Sequence, residues 1–471
     1  MKTFSILHIS DIHKNDEVLY DALLHSLEED MLCCKDEGII PPSFIVVSGD
    51  LIQGAYDEQV IRSQYREVEY FLDKLCKMIL DGDRRRVIIV PGNHDVNRCM
   101  TKNSMVASSN SKMEENKRAL FKQSQIIRWS WENYKFYEIS NRDQYDKRFA
   151  LFAEFYNRFY HNIRKYPEHP ETQAYAETFA DYHVTFAGFN SCCQLDHLCD
   201  VGKISESSLV SVDEQLKNSY NKGFLNIAVW HHNYYGAPIC TNYMDRHILD
   251  DMIHAHVHIG LYGHQHFAQV ANEHIDMLSY GMEEHDRMLL ISSGTLFGNV
   301  KEIPMGYKRQ YNIITLNIEN GNANVSINVR EDINTTVGAA IPYWKRKLIY
   351  YDNNTINLDV KLKHLNIDSI LMQIDRQVRI DGDYKKACDK LLEIGIDGEM
   401  KRGIFLLYLK EVKDYEYIYQ NLPEVRNANE AFLKIMAVKQ LANPQYVLSV
   451  KNDPFILQIN DPVIVEVLNK L

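Results

Sequence analysis

Five short clusters of polar residues offer the side chains that metal-dependent chemistry uses. In chain order they are Asp11-Ile12-His13, Gly49-Asp50, Gly92-Asn93-His94-Asp95, His231-His232 and Gly263-His264-Gln265-His266. Together they supply carboxylate oxygens, imidazole nitrogens and an amide oxygen, which suit ions such as Mn, Fe or Zn. Two such ions about 3.5–4 Å apart assist phosphate-ester hydrolysis, because they activate water and neutralise the phosphate oxygens.

Each cluster alone has an ordinary structural explanation. An Asp-x-His pair arises by chance, Gly49-Asp50 is typical of a turn, and Pro91-Gly92 followed by polar residues is also typical of a turn. What favours a site is that all five occur together, each directly after an apolar run. Asp11 and His13 share a spacing of two residues with His264 and His266, so a single extended turn aims both members of each pair the same way.

The elements that must position these clusters are visible in the hydrophobic pattern. The runs Phe4–Ile9, Phe44–Val47 and Arg86–Val90 are typical of buried strands, and helical spacing occupies Glu17–Leu32 and Asp57–Leu80 between them. Further strand patterns cover Tyr182–Phe189, Phe224–Trp230, Val257–Tyr262, Met288–Ile291, Asn312–Ile318 and Ala323–Val329. Alternating strands and helices predict a parallel sheet covered on both faces, with ligands beyond the carboxyl ends of its strands.

Residues from about 98 to 178 interrupt this alternation. The stretch is rich in aromatic residues, and we predict a mostly helical insertion with a helix near Arg148–Ile163. Its aromatic residues either form the insertion's own core or belong to a cap over the site. The sequence thus divides into a first domain over 1–335, which contains the insertion, and a mainly α-helical C-terminal domain over 340–471.

Composition limits the class of protein. The chain has 471 residues and a formal net charge of -12, so bulk charge does not favour nucleic-acid binding, although a local basic groove stays open. The nine cysteines show no zinc-finger spacing and are expected to be free thiols of a reducing compartment. No signal peptide and no membrane-spanning run is found, so we expect a cytoplasmic protein without a membrane association.

The five clusters in this order resemble the motifs of the calcineurin-like metallophosphoesterases over roughly residues 1–330. The resemblance implies a four-layer αββα sandwich and two divalent metal ions, with Mn expected and Fe or Zn as alternatives. It assigns Asp11, His13, Asp50 and His266 to one ion, and it assigns Asp50, Asn93, His231 and His264 to the other. Asp50 is then the bridging carboxylate. The histidine after the asparagine, His94, is implied as a general acid or transition-state stabiliser and not as a ligand.

The sequence leaves the surroundings of this centre open. Many relatives carry an aspartate at the position of Gln53, so the group that orients His94 is uncertain, with Asp95 or Asp57 as alternatives. His231 and His232 compete for one ligand position. His231 directly follows its strand and is favoured, which leaves His232 as a pocket residue. Asn190 either faces the site or caps the end of its strand.

The leading interpretation is a dinuclear-metal phosphodiesterase that acts on nucleotides or nucleic acids by attack of a metal-bridging water. It rests on the resemblance of the runs ending in His13 and Asp95 to the phosphodiesterase and nuclease branches of the family. A phosphomonoesterase or protein phosphatase is the alternative, and a metal-binding scaffold without activity is a further one. The helical C-terminal domain is expected to serve self-association or a protein partner.

Overall fold

The chain divides into two units, Met1–His364 and Leu365–Leu471, which are considered separately. The structure is a computed structural model. It describes residues 1–13, 20–108, 113–122, 124–236, 242–274, 287–297, 303–334, 341–348, 355–363, 371, 374–376, 378, 380–396 and 399–471.

The first unit is built on three β-sheets. The strands of the described residues are, in chain order, β1 Lys2–Ile9, β2 Phe44–Ser48, β3 Val87–Val90, β4 Met105–Ala107, β5 Ile127–Ser130, β6 Lys135–Ile139, β7 Ala174–Phe179, β8 Val184–Phe189, β9 Leu225–Val229, β10 Ile259–Tyr262, β11 Gln269–His274, β12 Arg287–Ser292, β13 Gln310–Glu319, β14 Asn322–Asp332, β15 Trp344–Arg346 and β16 Ile356–Lys361. The first sheet has the order β15-β14-β13-β1-β2-β3, and β16 also pairs with β14. The second has the order β11-β12-β10-β9-β8-β7, and the small third sheet is β4-β6-β5.

Parallel pairing brings the polar clusters to one edge of each large sheet. Strands β1, β2 and β3 are neighbours and run parallel, and so do β8, β9, β10 and β12. Every cluster named from the sequence follows one of these strands, so the clusters leave their sheets at the carboxyl ends, as predicted.

Helices cover the outer faces of the two large sheets. The described helices of the first unit are α1 Tyr20–Asp36, α2 Glu58–Leu80, α3 Arg98–Asn103, α4 Met113–Leu120, α5 Arg142–Asp146, α6 Ala150–Phe159, α7 Glu206–Asn221 and α8 His247–His254. Those that cover the sheets are α1, α2, α6, α7 and α8. Helix α2 begins at an Asp57 side chain that accepts the Gln59 N–H and ends at Asp81 in the left-handed conformation.

The packing gives four layers. Residues on one face of β1 and β2, including Phe4, Ile6 and Val46, pack against Phe186 and Ile227 of the second sheet. The alternate residues of the first sheet pack with α1, α2 and α6, and the outer face of the second sheet packs with α7 and α8. The predicted αββα sandwich is therefore confirmed.

The insertion differs from its prediction. It contains helices α3 to α6, but it also contains the antiparallel sheet β4-β6-β5, and its last strand, β7, joins the second large sheet. The expectation of a mostly helical segment was wrong in this respect. Strands of three to five residues carry too few alternations to be separated from short helices by periodicity.

The first unit extends beyond the domain boundary predicted at 335–340. Strands β15 and β16 pair with β14, so they complete the first sheet. Trp344 of β15 is buried against Tyr311 and donates its indole N–H to Ser26 Oγ. The two-residue turn Asn320-Gly321 has positive φ at both positions and joins β13 and β14 in a hairpin.

The second unit is mainly α-helical, as predicted. Its described helices are Tyr384–Glu393, Glu399–Glu411, Tyr415–Gln420, Ala428–Leu441, Pro444–Lys451, Pro454–Gln458 and Pro462–Asn469. Asp and Asn residues cap several of them, among them Asp414 and Asn427. Across the described part of the chain, no helix combines the length and the apolar character needed to cross a membrane.

Candidate metal centre

The side chains of the polar clusters are aimed by unusual backbone conformations at the strand ends. Asp11, Asp50, His264 and His266 all have positive φ, between 51° and 72°. Residues with a Cβ rarely adopt this region, and they hold it only where the surrounding structure requires it. The Asp11 N–H donates to the Gly49 carbonyl oxygen (3.1 Å), and the His13 N–H donates to the Asp50 carbonyl oxygen (3.2 Å). These bonds fasten the first two clusters to each other.

Two glycines of the motifs are needed because of close approach. A Cβ added to Gly92 would lie 2.1 Å from Asp50 Oδ1 and 2.2 Å from the Asp50 backbone nitrogen. A Cβ added to Gly49, which also has a positive φ of 95°, would lie 2.5 Å from His231 Nδ1. Both contacts are far below van der Waals distance, so only glycine lets the clusters pack this tightly.

One group of candidate ligands consists of Asp11, His13 and His266. His266 Nε2 lies 3.2 Å from Asp11 Oδ1. The Nδ1–H of His13 donates to Gln53 Oε1 (3.1 Å), which leaves Nε2 as the nitrogen with the lone pair. That Nε2 atom is buried and has no hydrogen-bond partner among the described residues. A buried imidazole nitrogen without a partner is costly unless something binds it.

The second group is centred on Asn93. Its Oδ1 lies 2.9 Å from His231 Nε2 and 2.9 Å from His264 Nδ1. Asp50 Oδ2 lies 3.3 Å from the same His231 nitrogen. Ligands on one ion with bonds of about 2.0–2.2 Å stand roughly 3 Å apart, so these four atoms match the spacing of a single coordination sphere.

Asp50 lies between the two groups. It falls in one ligand cluster with His13 and His94 and in another with His231 and His264. Its side chain is almost completely buried, and its Oδ1 accepts the His94 backbone N–H at 2.8 Å. Of the two carboxylates in the centre, Asp50 is the one shared by two of the candidate ligand groups.

Burial and neighbouring charges shift the pKa values of several side chains in the centre. Burial would raise the pKa of Asp50, but His231 and His94 hold it well below its ordinary value. Burial likewise opposes ionisation of Asp11, while His266 brings its pKa to about 2. Burial, followed by His231, lowers the pKa of His264 to about 4. The two carboxylates are thus ionised and His264 is neutral, which are metal-binding forms. His231 differs: burial opposes its charge, but the Asp50 carboxylate raises its pKa to about 9, so this imidazole must lose a proton when an ion binds.

The structure answers the question of what orients His94. Its Nδ1–H donates to the backbone carbonyl oxygen of Gln53 at 2.8 Å, and its ring stacks on His13 with centroids 4.9 Å apart. The remaining nitrogen, Nε2, lies 4.0 Å from Asp50 Oδ2, and 29% of the side chain is exposed. Because Nδ1 is engaged by the carbonyl oxygen, Nε2 is the His94 nitrogen that is left to act, and part of the side chain is exposed.

Neither alternative orienter contacts the His94 ring. Asp57 caps α2. Asp95 accepts the backbone N–H groups of Gly92 (2.8 Å) and Leu51 (3.2 Å) and the Tyr65 hydroxyl (3.0 Å). Burial, with a contribution from Asp50, raises the pKa of Asp95 to about 7. The Asp95 side chain thus holds the two turns together beneath the centre.

His231 and His232 have different surroundings. The Nδ1–H of His231 donates to the Ser48 carbonyl oxygen (2.8 Å), so its Nε2 faces Asn93 and Asp50. His232 Nδ1 lies 3.0 Å from Ser191 Oγ, and its Nε2 is buried without a partner among the described residues. Burial lowers the pKa of His232 well below its ordinary value, so the ring is neutral. Of the two, His231 is placed within the ligand groups.

The structure decides between the two roles considered for Asn190 and adds groups that the sequence did not indicate. Asn190 caps its strand end: its Nδ2 donates to Gln173 Oε1 (2.6 Å), and its Oδ1 accepts the Cys192 N–H (2.7 Å). Ser191 was not singled out, yet its hydroxyl accepts the backbone N–H groups of His231 and His232 at 3.1 Å each. The carbonyl groups of Ser48 and Gln53 could not have been found from side-chain types, because every residue has one.

Comparison with known families decides the identity of the first unit. The model of the calcineurin-like phosphoesterase family matches residues 4–267, which is more than half of the chain. The chain belongs to this family. It is therefore a metal-dependent phosphoesterase, and the family implies two divalent ions at the centre described above.

Other comparisons with this phosphoesterase show distant likeness. No curated protein matches it. Among solved structures, a dimetal phosphatase from Danio rerio is 11% identical with a TM-score of 0.39, and the match covers 77% of this chain and 100% of that one. The protein TT1561 of Thermus thermophilus is 13% identical with a TM-score of 0.29, and the match covers 66% and 94%. The calcineurin-like phosphoesterase YfkN from Bacillus subtilis is 12% identical with a TM-score of 0.28, and the match covers 80% and 97%.

Proposed function

We propose that this phosphoesterase hydrolyses phosphodiesters of nucleotides or nucleic acids. The observation that carries the proposal is the position of His94, whose Nε2 lies 4.0 Å from the Asp50 carboxylate and whose side chain is partly exposed. Buried groups close the centre from below, whereas Asn93, His94, His264 and His266 are partly exposed. A site open on one side has room for a phosphodiester, in which two of the phosphate oxygens each carry an organic group.

The ligands that we propose are the two groups joined by Asp50. Asp11, His13, Asp50 and His266 would hold one ion, and Asp50, Asn93, His231 and His264 would hold the other. The mixture of carboxylate, amide oxygen and imidazole favours Mn, with Fe or Zn as alternatives. When bound, two divalent ions would neutralise the phosphate oxygens and lower the pKa of the attacking water.

In this proposal, the protein's own groups orient the histidines and donate the proton to the leaving oxygen. Gln53 holds two histidines: its side chain fixes His13, and its carbonyl oxygen fixes the tautomer of His94. With Nδ1 committed to that carbonyl, a protonated His94 donates from Nε2 to the leaving oxygen of the substrate. Asp50 accepts the His94 backbone N–H, so the proton donor and the bridging carboxylate keep a fixed separation.

A substrate comparison tests the proposal. Purified protein with added Mn²⁺ is assayed on bis-p-nitrophenyl phosphate, p-nitrophenyl phosphate, cyclic nucleotides, single- and double-stranded DNA, RNA and phosphopeptides. We expect kcat/KM for diesters to exceed that for monoesters, with the Asp11→Asn variant giving the background. Faster turnover of monoesters or phosphopeptides would show a phosphatase instead, and a metal-loaded protein inactive on the whole panel would show a binding scaffold.

A further inference from the structure

The aromatic residues of the insertion fall into two groups with opposite surroundings. Those of α6, such as Phe152 and Phe155, are buried against α1 and α2. Those around the turn from β5 to β6 lie at the surface. We call this second group the aromatic patch, and it consists of Trp129, Trp131, Tyr134 and Phe136. The aromatic patch is therefore not part of the core that the helical half of the insertion forms.

The aromatic patch is preassembled and open to solvent. The Trp129 ring contacts the other three members, with centroid separations of 5.6 Å to Trp131, 6.5 Å to Tyr134 and 4.6 Å to Phe136. Nevertheless, 69% of Trp131 and 74% of Tyr134 remain exposed. Keeping large rings exposed costs hydrophobic free energy, and a contiguous exposed patch usually marks a binding surface.

The sequence segment that carries the aromatic patch is basic, unlike the whole chain, although the cavity beside the patch is lined by both basic and acidic residues. Residues 98–142 contain nine lysines and arginines but four glutamates and aspartates, whereas the complete chain has a net charge of -12. Two of these cations, Arg98 and Lys135, form no ion pair with any residue that the structure describes. Lys135 directly follows Tyr134 in the chain, so a cation without an ion pair among the described residues is one residue away from the most exposed ring of the patch.

A cavity adjoins the aromatic patch, and one of its lining residues is close in the chain to His94. The cavity has a volume of about 360 Å³, and its lining includes Trp129 and Trp131 of the patch together with Arg98 and His197. Arg98 is four residues from His94, so their Cα atoms are at most about 14 Å apart. His197 Nδ1 in turn lies 3.0 Å from Thr101 Oγ1 of α3. One short segment of the chain thus connects His94, the general-acid candidate, to Arg98 in the cavity wall.

We propose that the aromatic patch binds single-stranded nucleic acid and presents it to the metal centre. Exposed aromatic rings stack with bases of any sequence, and cations beside them pair with the phosphates. In this arrangement bases stack on Trp131 and Tyr134, while Arg98 and Lys135 meet the backbone. A duplex is a poorer ligand, because its bases are already stacked on each other. The binding claim stands alone, whereas presentation for hydrolysis rests on the proposed phosphodiesterase function.

Fluorescence anisotropy with the full-length protein tests binding. Labelled single-stranded DNA, single-stranded RNA and duplex DNA of about 12 nucleotides are titrated without divalent metal, so that no hydrolysis occurs. We expect single strands to bind more tightly than the duplex, and Trp131→Ala or Tyr134→Ala to weaken binding at least about five-fold each. Lys135→Glu should also flatten the dependence of affinity on salt concentration, which the ring variants leave unchanged.

Matched controls separate this role from general effects on the protein. Phe455→Ala removes another exposed ring and Lys451→Glu reverses another exposed charge, both in the second unit, and neither should change binding. Equal losses in the controls, or unchanged binding in Trp131→Ala, would overturn the proposal. So would a protein that binds no oligonucleotide but self-associates in sedimentation experiments through the same residues.

Activity assays show whether the bound strand is presented to the metal centre. In the presence of Mn²⁺, Trp131→Ala should raise KM for an oligonucleotide but leave hydrolysis of bis-p-nitrophenyl phosphate unchanged, because that small diester does not reach the aromatic patch. Binding without any diesterase activity would refute the presentation and the proposed function together, and it would leave the binding claim intact. Diesterase activity without oligonucleotide binding would refute the binding claim and leave the proposed phosphodiesterase function intact.

Discussion

The metal centre and the aromatic patch are built in opposite ways. In the centre, Asp11, Asp50 and His231 are buried, and each is fixed by backbone hydrogen bonds or a strained turn. In the aromatic patch, Trp131 and Tyr134 are mostly exposed and are held by contacts with a single ring, Trp129. The side chains of the centre are therefore fixed by the protein itself, whereas the patch provides exposed aromatic surface.

The difference matches two kinds of task. A reaction requires atoms placed within a fraction of an ångström, and burial together with close-packed glycines supplies that placement. Stacking on a base tolerates variation in position, because every base has a flat apolar face. Each arrangement also has a cost, since the centre buries two carboxylates side by side and the patch leaves apolar rings in water. Variants should separate the two regions accordingly.

The largest effect is expected from Asp50→Asn. Loss of the Asp50 charge should reduce metal-dependent hydrolysis by about 100- to 1,000-fold or more, because metal assistance lowers the activation barrier by several kcal/mol. Calorimetry supplies a second measurement: Mn²⁺ should raise the Tm of the wild-type protein, since a ligand at 100 times its Kd stabilises by about 2.7 kcal/mol. Asp50→Asn should lose that rise, whereas Trp131→Ala should keep it. A metal-dependent Tm shift that persists in Asp50→Asn would contradict the ligand assignment.

His94→Gln should break the chemistry while leaving the metal centre assembled. We expect kcat to fall about 10²- to 10⁴-fold on a dinucleotide, whose leaving oxygen requires a proton. The fall should be much smaller on bis-p-nitrophenyl phosphate, because p-nitrophenolate is a stable leaving group without one. The metal-dependent rise in Tm should persist. Equal losses on both substrates would show that His94 does not act as a proton donor.

The same contrast explains what could be predicted from the sequence. The residues assigned to the centre lie directly after strands, so the short motifs and the parallel sheet together placed them at one edge. The orienter of His94 could not be predicted, because it is the Gln53 carbonyl oxygen and backbone groups have no sequence signature. For the same reason the Ser48 carbonyl, which fixes the tautomer of His231, went unnoticed.

The insertion was harder to predict because aromatic residues serve both burial and binding. The spacing around Phe152 and Phe155 is helical, and that helix is present as α6. Trp129 and Phe136 are cross-strand partners seven residues apart, a relation that depends on the turn between them and not on a period. Whether a ring is buried depends on what packs over it, and for Trp131 the local sequence contains no information about that.

Gly92→Ala should show how tightly the centre is packed. The new methyl group would overlap Asp50, so we expect the free energy of unfolding to fall by about 1–3 kcal/mol and the activity to fall with it. Gly403→Ala is the matched control: its Cβ would meet nothing within 4 Å, and the residue lies in the helix Glu399–Glu411. There alanine should stabilise by roughly 0.5–1 kcal/mol. Thermal denaturation of both variants measures the difference, and a harmless Gly92→Ala would contradict the close packing.

The smallest effect on stability is expected from Trp131→Ala, although we expect this ring to contribute to oligonucleotide binding. Phe155→Ala, in the buried half of the insertion's aromatic residues, should lower the free energy of unfolding by about 3–5 kcal/mol, because it opens a cavity beside Tyr65. Trp131→Ala should change it by no more than about 0.5 kcal/mol, since most of the ring already contacts water. Urea denaturation of the two variants gives the comparison directly. A large loss in Trp131→Ala would mean that the ring supports the fold, and its effect on oligonucleotide affinity would then have a structural cause.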